Sequence, residues 1–385
     1  MALAAAEAAA SSPALADAER AVGQGLPNPP LPSEFLRWVQ SCNAPEGTFD
    51  EFVPWRIEGV DVGLVRPGFA EELKAFPDVF RFVEEGEAAP GSSSSNSSSG
   101  RAFITFVEKH DSDQETRTRA LASVMLALRE KKVIRGWRDE LFRVSRAFGE
   151  APLCLIERAA AVHMGVRAYG VHMNGYVSMP RGEKEGEGER EEEEEDERRG
   201  RGGGGGENGD TRASASSFSG RHHRPTHLWV ATRSASKPTW PGRLDHLVAG
   251  GQPASLSLRE NLLKECGEEA GIPGSLASRA RPVGVVSYSS LSDEGGAKRD
   301  VLFVFDLELP TDFVPRPCDG EVERFDLLPL PAAAALVARS GRFKDNCNLV
   351  LADFFVRHGV LKPDDAGYLE LVAGLRPGLG EFARG

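Results

Sequence analysis

Three glutamates, Glu265, Glu268 and Glu269, lie close together in a segment that the sequence predicts to be helical. At about 100° per residue they fall within roughly 100° of arc on one side of the helix. Carboxylates one turn apart repel one another unless a cation neutralises them. Hard divalent ions such as Mg²⁺ prefer oxygen ligands and bridge to substrate phosphates. The spacing therefore indicates a metal site for phosphate chemistry, with a solvated acidic helix face as the alternative interpretation.

Local signals set the limits of this helix. Ser257 and Glu260 form a capping box, so the helix is predicted to begin at Ser257. Gly271 followed by Pro273 is typical of a helix end, because glycine adopts the left-handed conformation and proline cannot continue the helix. The side away from the carboxylates is predicted to pack on the protein through three small or apolar residues: Leu263, Cys266 and Ala270. The helix thus has a packed side and an acidic side.

The segment from Gly250 to Ile272 resembles the Nudix box, G-x5-E-x7-R-E-U-x-E-E-x-G-U, where U is an apolar residue. Leu256 stands where the first Glu is expected, and Lys264 replaces the Arg. Both departures look like those of the thiamin-pyrophosphokinase-related branch of the Nudix superfamily. The resemblance to this branch covers about residues 33–360 and includes these stretches: Gly136–Glu140, Gly170–Tyr176, Lys237–Gly242, Asp319–Glu323 and Asn346–Leu349.

The resemblance implies a fold and a reaction. The fold is of the α/β class, a Nudix α/β/α sandwich with a mixed sheet, preceded by a smaller α/β domain. The reaction is the attack of water on a phosphoanhydride in a small diphosphate, assisted by Mg²⁺ or by Mn²⁺ in its place. The implied substrate is oxidised or damaged thiamin diphosphate, and an oxidised nucleotide such as 8-oxo-dGDP is the alternative. A non-catalytic diphosphate-binding protein is a third hypothesis, because Leu256 breaks the box.

The resemblance also implies roles for the residues of the box. Three of them match the metal ligands of the family: Glu265, Glu268 and Glu269. Gly250 and Gly251 are expected to let the backbone approach the phosphates. Lys264 is expected to take the role of the Arg, which is to orient the carboxylates, and a solvent-exposed lysine is the alternative.

Residues outside the box are candidates to complete the site. Arg233 and Lys237 precede the box and are candidates to hold phosphate. Trp240 is a candidate to stack on a heterocycle, with packing in the core as the alternative. Glu321 and Glu323 alternate along a predicted strand, so they share one face and could supply a further metal ligand or a base. We expect one of them to replace the carboxylate missing from the box, although acidic residues on strands are often only solvated.

Length and composition limit the kind of protein that carries this site. A chain of 385 residues exceeds the usual single-domain range of about 100–200, so two domains are expected. The net charge of −12 argues against non-specific binding to nucleic acid. No apolar run approaches the roughly 20 residues of a membrane helix. The five cysteines show no CxxC spacing, so a reducing compartment is expected, with neither a disulfide framework nor a zinc site. The expected partner is a small molecule, and the oligomeric state stays open.

Shifts in composition divide the chain into parts. Residues 1–32 are predicted to be a disordered or targeting tail, which places the protein in the cytoplasm or, with targeting, in a plastid or another organelle. Residues 33–163 form the N-terminal α/β domain of unknown function, and 164–345 form the Nudix domain. The acidic and glycine-rich run 181–224 is predicted to be a disordered insertion between two paired strands. Residues 346–385 are predicted to be helices that pack on the Nudix domain.

Overall fold

The computed structural model describes residues 13–23, 27–84, 102–179 and 224–379. The first helices are α1 (Pro13–Val22) and α2 (Leu36–Cys42), and a short 3₁₀ helix, Pro32–Phe35, leads into α2. Within the described ranges, no helix is both long enough and apolar enough to cross a membrane.

A small sheet with two main helices forms the N-terminal domain. Its elements are, in chain order, β1 (Val53–Ile57), β2 (Val60–Val65), α3 (Pro67–Leu73), β3 (Phe80–Val83), β4 (Phe103–Phe106), α4 (Gln114–Glu130), β5 (Leu141–Val144), β6 (Cys154–Glu157) and α5 (Arg158–Ala161). The first four strands lie in the order β2-β1-β4-β3, and β5 pairs with β6. Trp55 and Ile104 of the sheet are fully buried with Leu121 of α4 in one core. This is the smaller α/β domain that the resemblance implies.

A larger sheet forms the second part of the chain. Its strands are β7 (Arg167–Val177), β8 (His227–Arg233), β9 (Leu244–Asp245), β10 (Val248–Gly251), β11 (Arg281–Leu291), β12 (Ala297–Glu308) and β13 (Val322–Pro329). They lie in the order β11-β12-β7-β8-β13, with β10 on β7 and β9 on β8. Strand β12 runs parallel to β7 and the other pairs are antiparallel, so the sheet is mixed as predicted.

Helices cover both faces of this sheet. They are α6 (Leu258–Ala270), α7 (Gly274–Ala277), α8 (Leu330–Arg339), α9 (Asp345–Arg357) and α10 (Tyr368–Gly374). Successive side chains of a strand point to opposite faces, and neighbouring residues of β12 illustrate the result. Phe305 packs in the core that contains Leu262 of α6, whereas Val304 packs in the core that contains Phe354 of α9. The predicted α/β/α sandwich is confirmed.

The first helices of the chain pack on this sandwich. Ala14 and Ala18 of α1 are buried, and Phe35 meets Phe355 of α9 edge to face at 6.0 Å between ring centroids. The indole N–H of Trp38 donates to the carbonyl of Val337, at 2.8 Å. Part of the tail predicted over 1–32 is thus the helix Pro13–Val22, whose small alanine side chains let α1 pack closely against α8. Residues 33–42 likewise pack with the sandwich and not with the N-terminal domain.

The acidic insertion, predicted over 181–224, lies outside the described residues apart from its last position. The strands on either side of it are described, and they pair in an antiparallel manner, with Tyr176 opposite Leu228 and Val177 opposite His227. The expectation that paired strands flank the insertion is thus met at its two ends.

Asp306 joins the sheet to α9. It is only 1% exposed, and its carboxylate accepts hydrogen bonds from Asn174 at 3.1 Å, from the imidazole of His358 at 2.8 Å and from the guanidinium of Arg357. Burial opposes its ionisation, but the hydrogen bonds from His358 and Arg357 outweigh burial and lower the pKa of Asp306. A group with a lowered pKa stabilises the fold above its usual pKa, here 3.8, and loses that effect as the pH falls through the lowered value.

We predict that Asp306→Asn lowers the free energy of unfolding by about 3 kcal/mol, because it leaves buried cationic partners without their carboxylate. Urea denaturation at pH 7 measures the change. Asp312→Asn is the matched control: its side chain is exposed, so a change within about 0.5 kcal/mol is expected. Equal midpoints for the two variants would contradict the role given to Asp306.

Candidate active site

Helix α6 begins and ends as its sequence predicts. The hydroxyl of Ser257 accepts from the backbone N–H of Glu260, and the carboxylate of Glu260 accepts from the N–H of Ser257 at 2.8 Å. Gly271 ends the helix with φ of 62°, a left-handed conformation. These caps set the rotation of the helix and so determine which side chains face the neighbouring strand.

The carboxylates of Glu265 and Glu269 lie against the backbone of β10. A Cβ atom on Gly250 would come within 2.5 Å of the carboxyl carbon of Glu265, so only glycine leaves room for that carboxylate. Glu269 accepts a hydrogen bond from the backbone N–H of Ala249 at 2.9 Å. Strand β10, which carries Gly250 and Gly251 and is called the glycine strand below, therefore packs with helix α6 as one structural unit.

The three box carboxylates differ in exposure. Glu268 is exposed, Glu265 is half-buried and Glu269 is only 9% exposed. The acidic side of the helix is thus only partly open, because β10 packs across the part that carries Glu269. Burial raises the pKa of Glu265 and raises that of Glu269 well above its ordinary value. Negative charge is thus crowded in a place with little water to screen it.

Lys264 bridges two of these carboxylates. Its ammonium lies 2.7 Å from an oxygen of Glu268 and 3.5 Å from an oxygen of Glu265. The hydrogen bond with Glu268 is the main reason that the pKa of Lys264 is raised, so the lysine stays charged. A lysine that orients the carboxylates must contact both of them, and Lys264 does so.

Glu321 and Glu323 are not equivalent. The charge of Glu321 adds to the effect of burial in raising the pKa of both Glu265 and Glu269, so it lies near the box. Glu323 is exposed, and a guanidinium nitrogen of Arg324 lies 3.8 Å from its carboxylate. Of the two candidates, Glu321 is the one that the fold brings to the carboxylate cluster.

The remaining predicted residues lie at the end of β8 and in the loop that follows it. Arg233 donates to Asp245 at 2.7 Å and to the carbonyls of Thr239 and Trp240, so its guanidinium supports the loop and is not open to phosphate. Lys237 forms an ion pair with Glu321. Trp240 is 36% exposed, which excludes the alternative that it fills the core.

A second group of metal-binding residue types lies behind the loop, and no spacing in the sequence signals it. One ligand atom from each of Asp245, His246 and Cys347 falls within 4.8 Å of the others, and all three residues are buried. Burial works against ionisation of Asp245, yet Lys344 and the hydrogen bond from His246 hold its pKa well below its ordinary value. Burial also raises the pKa of the Cys347 thiol, which donates to Asp245 at 2.8 Å. Nearby cationic groups, Lys344 above all, thus already compensate the charge of Asp245 in this group.

Two cavities adjoin the box, and both border the N-terminal domain. One, of about 550 Å³, lies at the start of α6 and has Leu256 in its wall. The other, of about 460 Å³, borders Gly250 and Gly251. Phe142 and Tyr169 line both. The position where the box expects its first Glu thus contributes apolar wall in this protein.

The β5–β6 hairpin of the N-terminal domain also forms hydrogen bonds with the loop between β10 and α6. The backbone N–H of Ala254 donates to the carbonyl of Leu141 at 2.7 Å, and the guanidinium of Arg143 donates to the carbonyl of Ala254 at 2.8 Å. Nothing in the sequence signals these contacts, because they join residues that are more than a hundred positions apart.

A mixed-sheet sandwich that sets a carboxylate-rich helix against a glycine strand defines the class of Nudix-box proteins, and comparison with known proteins agrees. The chain is 39% identical over 342 residues to Nudix hydrolase 20, chloroplastic, of Arabidopsis thaliana. The matched region covers 89% of this chain and 77% of the relative. Nudix hydrolase 24, chloroplastic, of the same plant is 39% identical over 344 residues, or 89% and 78% of the two chains. The chain belongs to the Nudix hydrolase family and is therefore a hydrolase of diphosphate linkages.

A family model matches the N-terminal domain, and a third relative matches a longer part of the chain. Residues 34–168 match a family described as a domain of unknown function, DUF4743. An uncharacterized protein of Saccharomyces cerevisiae is 32% identical over 251 residues, which cover 62% of this chain and 60% of that protein.

We predict that Gly250→Ala lowers the rate of diphosphate hydrolysis by about a hundredfold, because the new methyl group displaces the Glu265 carboxylate. Gly267→Ala is the matched control on the open side of α6, where a Cβ meets nothing within 4 Å. It should keep full activity and gain about 0.5–1 kcal/mol of stability, since alanine favours helix. Phosphate release and thermal melting of both variants test this, and full activity in Gly250→Ala would show that the Glu265 contact is dispensable.

Proposed function

We propose that this protein hydrolyses the phosphoanhydride of oxidised thiamin diphosphate, with Mg²⁺ as its metal. The proposal rests on the carboxylates of α6 that lie beside the glycine strand, with the ammonium of Lys264 between those of Glu265 and Glu268. All donors of the cluster are carboxylate oxygens, which Mg²⁺ and Mn²⁺ prefer and softer ions do not. Glu265, Glu268 and Glu269 would hold the ion, with Glu321 as the further carboxylate.

The residues of the chain would share the work of the reaction. The bound ion would polarise the phosphoryl oxygens and lower the pKa of a water. Lys264 keeps Glu265 and Glu268 in position, and Glu321 accepts the proton of the attacking water. The water oxygen forms a bond to phosphorus while the bridging P–O bond breaks, and its electron pair leaves on the phosphate of the other product. Gly250 and Gly251 offer the backbone of β10 to the phosphates.

The cavity at the start of α6 supports a flat ring as the organic part of the substrate. Phe148 in its wall is 46% exposed. Its ring centroid lies 4.8 Å from that of Tyr169, which lines the same cavity, so the two rings form a partly open aromatic wall. Aromatic walls stack on flat heterocycles. The same wall would accept the purine of 8-oxo-dGDP, which we keep as the alternative substrate.

A panel of diphosphates tests the substrate. Phosphate release is measured with Mg²⁺, with Mn²⁺ and with EDTA on oxidised thiamin diphosphate, thiamin diphosphate, 8-oxo-dGDP and dGDP. We expect the highest kcat/KM on the oxidised thiamin form. A preference for 8-oxo-dGDP would replace our substrate with the alternative, and no release from any compound would favour the non-catalytic diphosphate-binding protein.

We predict that Glu268→Gln and Glu269→Gln each lower turnover by about a hundredfold or more, because each removes a charged metal ligand. Folding should be kept in both. Glu268 is exposed, and a glutamine at 269 retains the oxygen that accepts from Ala249. Turnover and circular dichroism are measured together, and unchanged turnover in a folded variant would refute the ligand assignment.

We further predict that Glu321→Gln raises the Mg²⁺ concentration needed for half-maximal activity, whereas Glu323→Gln does not. The two glutamates lie two positions apart and make a matched pair, because the charge of Glu321 acts on Glu265 and Glu269 whereas Glu323 is exposed beside Arg324. Activity is titrated against Mg²⁺ for both variants and the parent. Identical curves for all three would mean that the helix alone completes the metal site.

The location of the protein in the cell is also a proposal. The two Arabidopsis relatives carry chloroplastic in their names, and we propose a plastid for this chain as well. The full chain with a fluorescent protein at its C-terminus should colocalise with chlorophyll in a plant cell. Diffuse fluorescence would favour the cytoplasm.

A further inference from the structure

The cavity beside the glycine strand is a cleft between the two domains, and cations line it from both sides. The N-terminal domain contributes Arg135, Arg138 and Arg158 to its wall. The Nudix domain contributes Lys298, Arg299 and Lys344. A cleft lined by one sign of charge focuses the field and concentrates ligands of the opposite sign. In a chain of net charge −12, this local excess of positive charge requires an explanation.

The acidic residues of the cleft do not cancel this charge. A carboxylate oxygen of Glu294 lies 2.8 Å from the imidazole Nε2 of His163. Asp300 accepts from the hydroxyl of Tyr288 and lies 3.7 Å from the ammonium of Lys298. Both carboxylates thus have partners within the fold. Of the arginines from the N-terminal domain, Arg158 pairs with Glu140, whereas Arg135 and Arg138 have no ion-pair partner among the described residues.

Arg158 brings the N-terminal domain into contact with the box. A Cβ on Gly251 would lie 3.2 Å from the central carbon of the Arg158 guanidinium, so the arginine lies against this glycine. A hydrogen bond of 2.7 Å to Glu140 holds it there. Gly250, the next residue, lies against Glu265. A phosphate at the glycine pair would therefore lie between the box carboxylates and an arginine of the other domain.

Arg135 and Arg138 extend the cationic wall away from the box. Both are exposed, and within the described part of the chain neither has an ion-pair partner. The backbone N–H of Arg138 donates to the buried carboxylate of Glu157 at 2.8 Å, which fixes the loop that carries both side chains. Arginine forks match phosphate oxygens in two-pronged hydrogen bonds, so a fixed pair of uncompensated arginines favours a phosphate ligand.

We propose that the N-terminal domain is one half of the substrate site, in which Arg135, Arg138 and Arg158 bind the diphosphate group. The inference rests on the proposed function for the reaction itself, but it assigns a role of its own to a domain of unknown function. The ligand class is a diphosphate, free or esterified. The aromatic cavity beyond Phe142 and Tyr169 would take the organic part, because those two residues line both spaces.

Binding of methylenediphosphonate, a diphosphate that cannot be hydrolysed, tests the proposal on the full chain. Isothermal titration calorimetry is run in EDTA at low salt, so that no metal site takes part. We expect Arg135→Ala and Arg138→Ala each to weaken binding by about tenfold, and Arg138→Lys to recover part of the loss. Arg119→Ala is the matched control, since Arg119 is exposed on α4 of the same domain and does not line the cleft.

Kinetics on the preferred diphosphate separate binding from catalysis. For Arg135→Ala and Arg138→Ala the loss should appear in KM, with kcat nearly kept. Arg158→Lys should lose more than either, because Arg158 touches the box, and its folding is checked by melting. Inorganic diphosphate and monophosphate, used as competitors, distinguish a site for the diphosphate from a general anion surface.

The outcomes distinguish this inference from the proposed function. If the parent hydrolyses no diphosphate but binds the analogue through Arg135 and Arg138, the inference stands and the proposed function fails. If the parent hydrolyses diphosphates and the arginine variants match it in KM and in analogue affinity, the function stands and the inference is wrong. An analogue that does not bind the parent, or that monophosphate displaces equally well, also overturns the inference.

Discussion

The contact between the Glu265 carboxylate and the bare Cα of Gly250 is the constraint on which the site depends. It holds only if β10 lies on β7, if α6 starts at Ser257, and if position 250 has no side chain. Each of these conditions comes from a different part of the fold: the sheet register, the helix cap and the residue type. The Glu265 carboxylate in turn lies near the ammonium of Lys264, which also forms an ion pair with Glu268. The position of Glu265 therefore influences the positions of both neighbours.

Sequence signals predicted the parts of the site that depend on neighbours in the chain. The start and end of α6 follow from Ser257, Glu260 and Gly271, which act within one turn of the helix. The α/β/α sandwich was implied by the resemblance of the box to the Nudix family and not by any local pattern of the strands. Helical periodicity gives the direction of a side chain but not what packs over it, so it does not reveal that β10 covers Glu269.

What the sequence could not predict depends on distant partners. Glu321 and Glu323 have the same pattern in the sequence, and only the fold, in which the charge of Glu321 acts on the box carboxylates, distinguishes them. The alanine-rich segment around Ala14 is typical of a tail until α8 supplies a surface for it to cover. The cationic cleft needs two domains in contact, and no local pattern around Arg138 reveals the opposite wall.

The packing of Phe35 on Phe355 determines when, during synthesis, folding of the sandwich can finish. Synthesis proceeds from the N-terminus, and the hydrogen bond from Trp38 to Val337 joins residues 299 positions apart. Helices α1 and α2 must therefore wait, with their apolar sides uncovered, until nearly the whole chain has left the ribosome. The intervening N-terminal domain has its own core and is able to fold during that wait. The packing of α1 and α2 on the sandwich is then the last step of folding, and it follows the folding of the N-terminal domain.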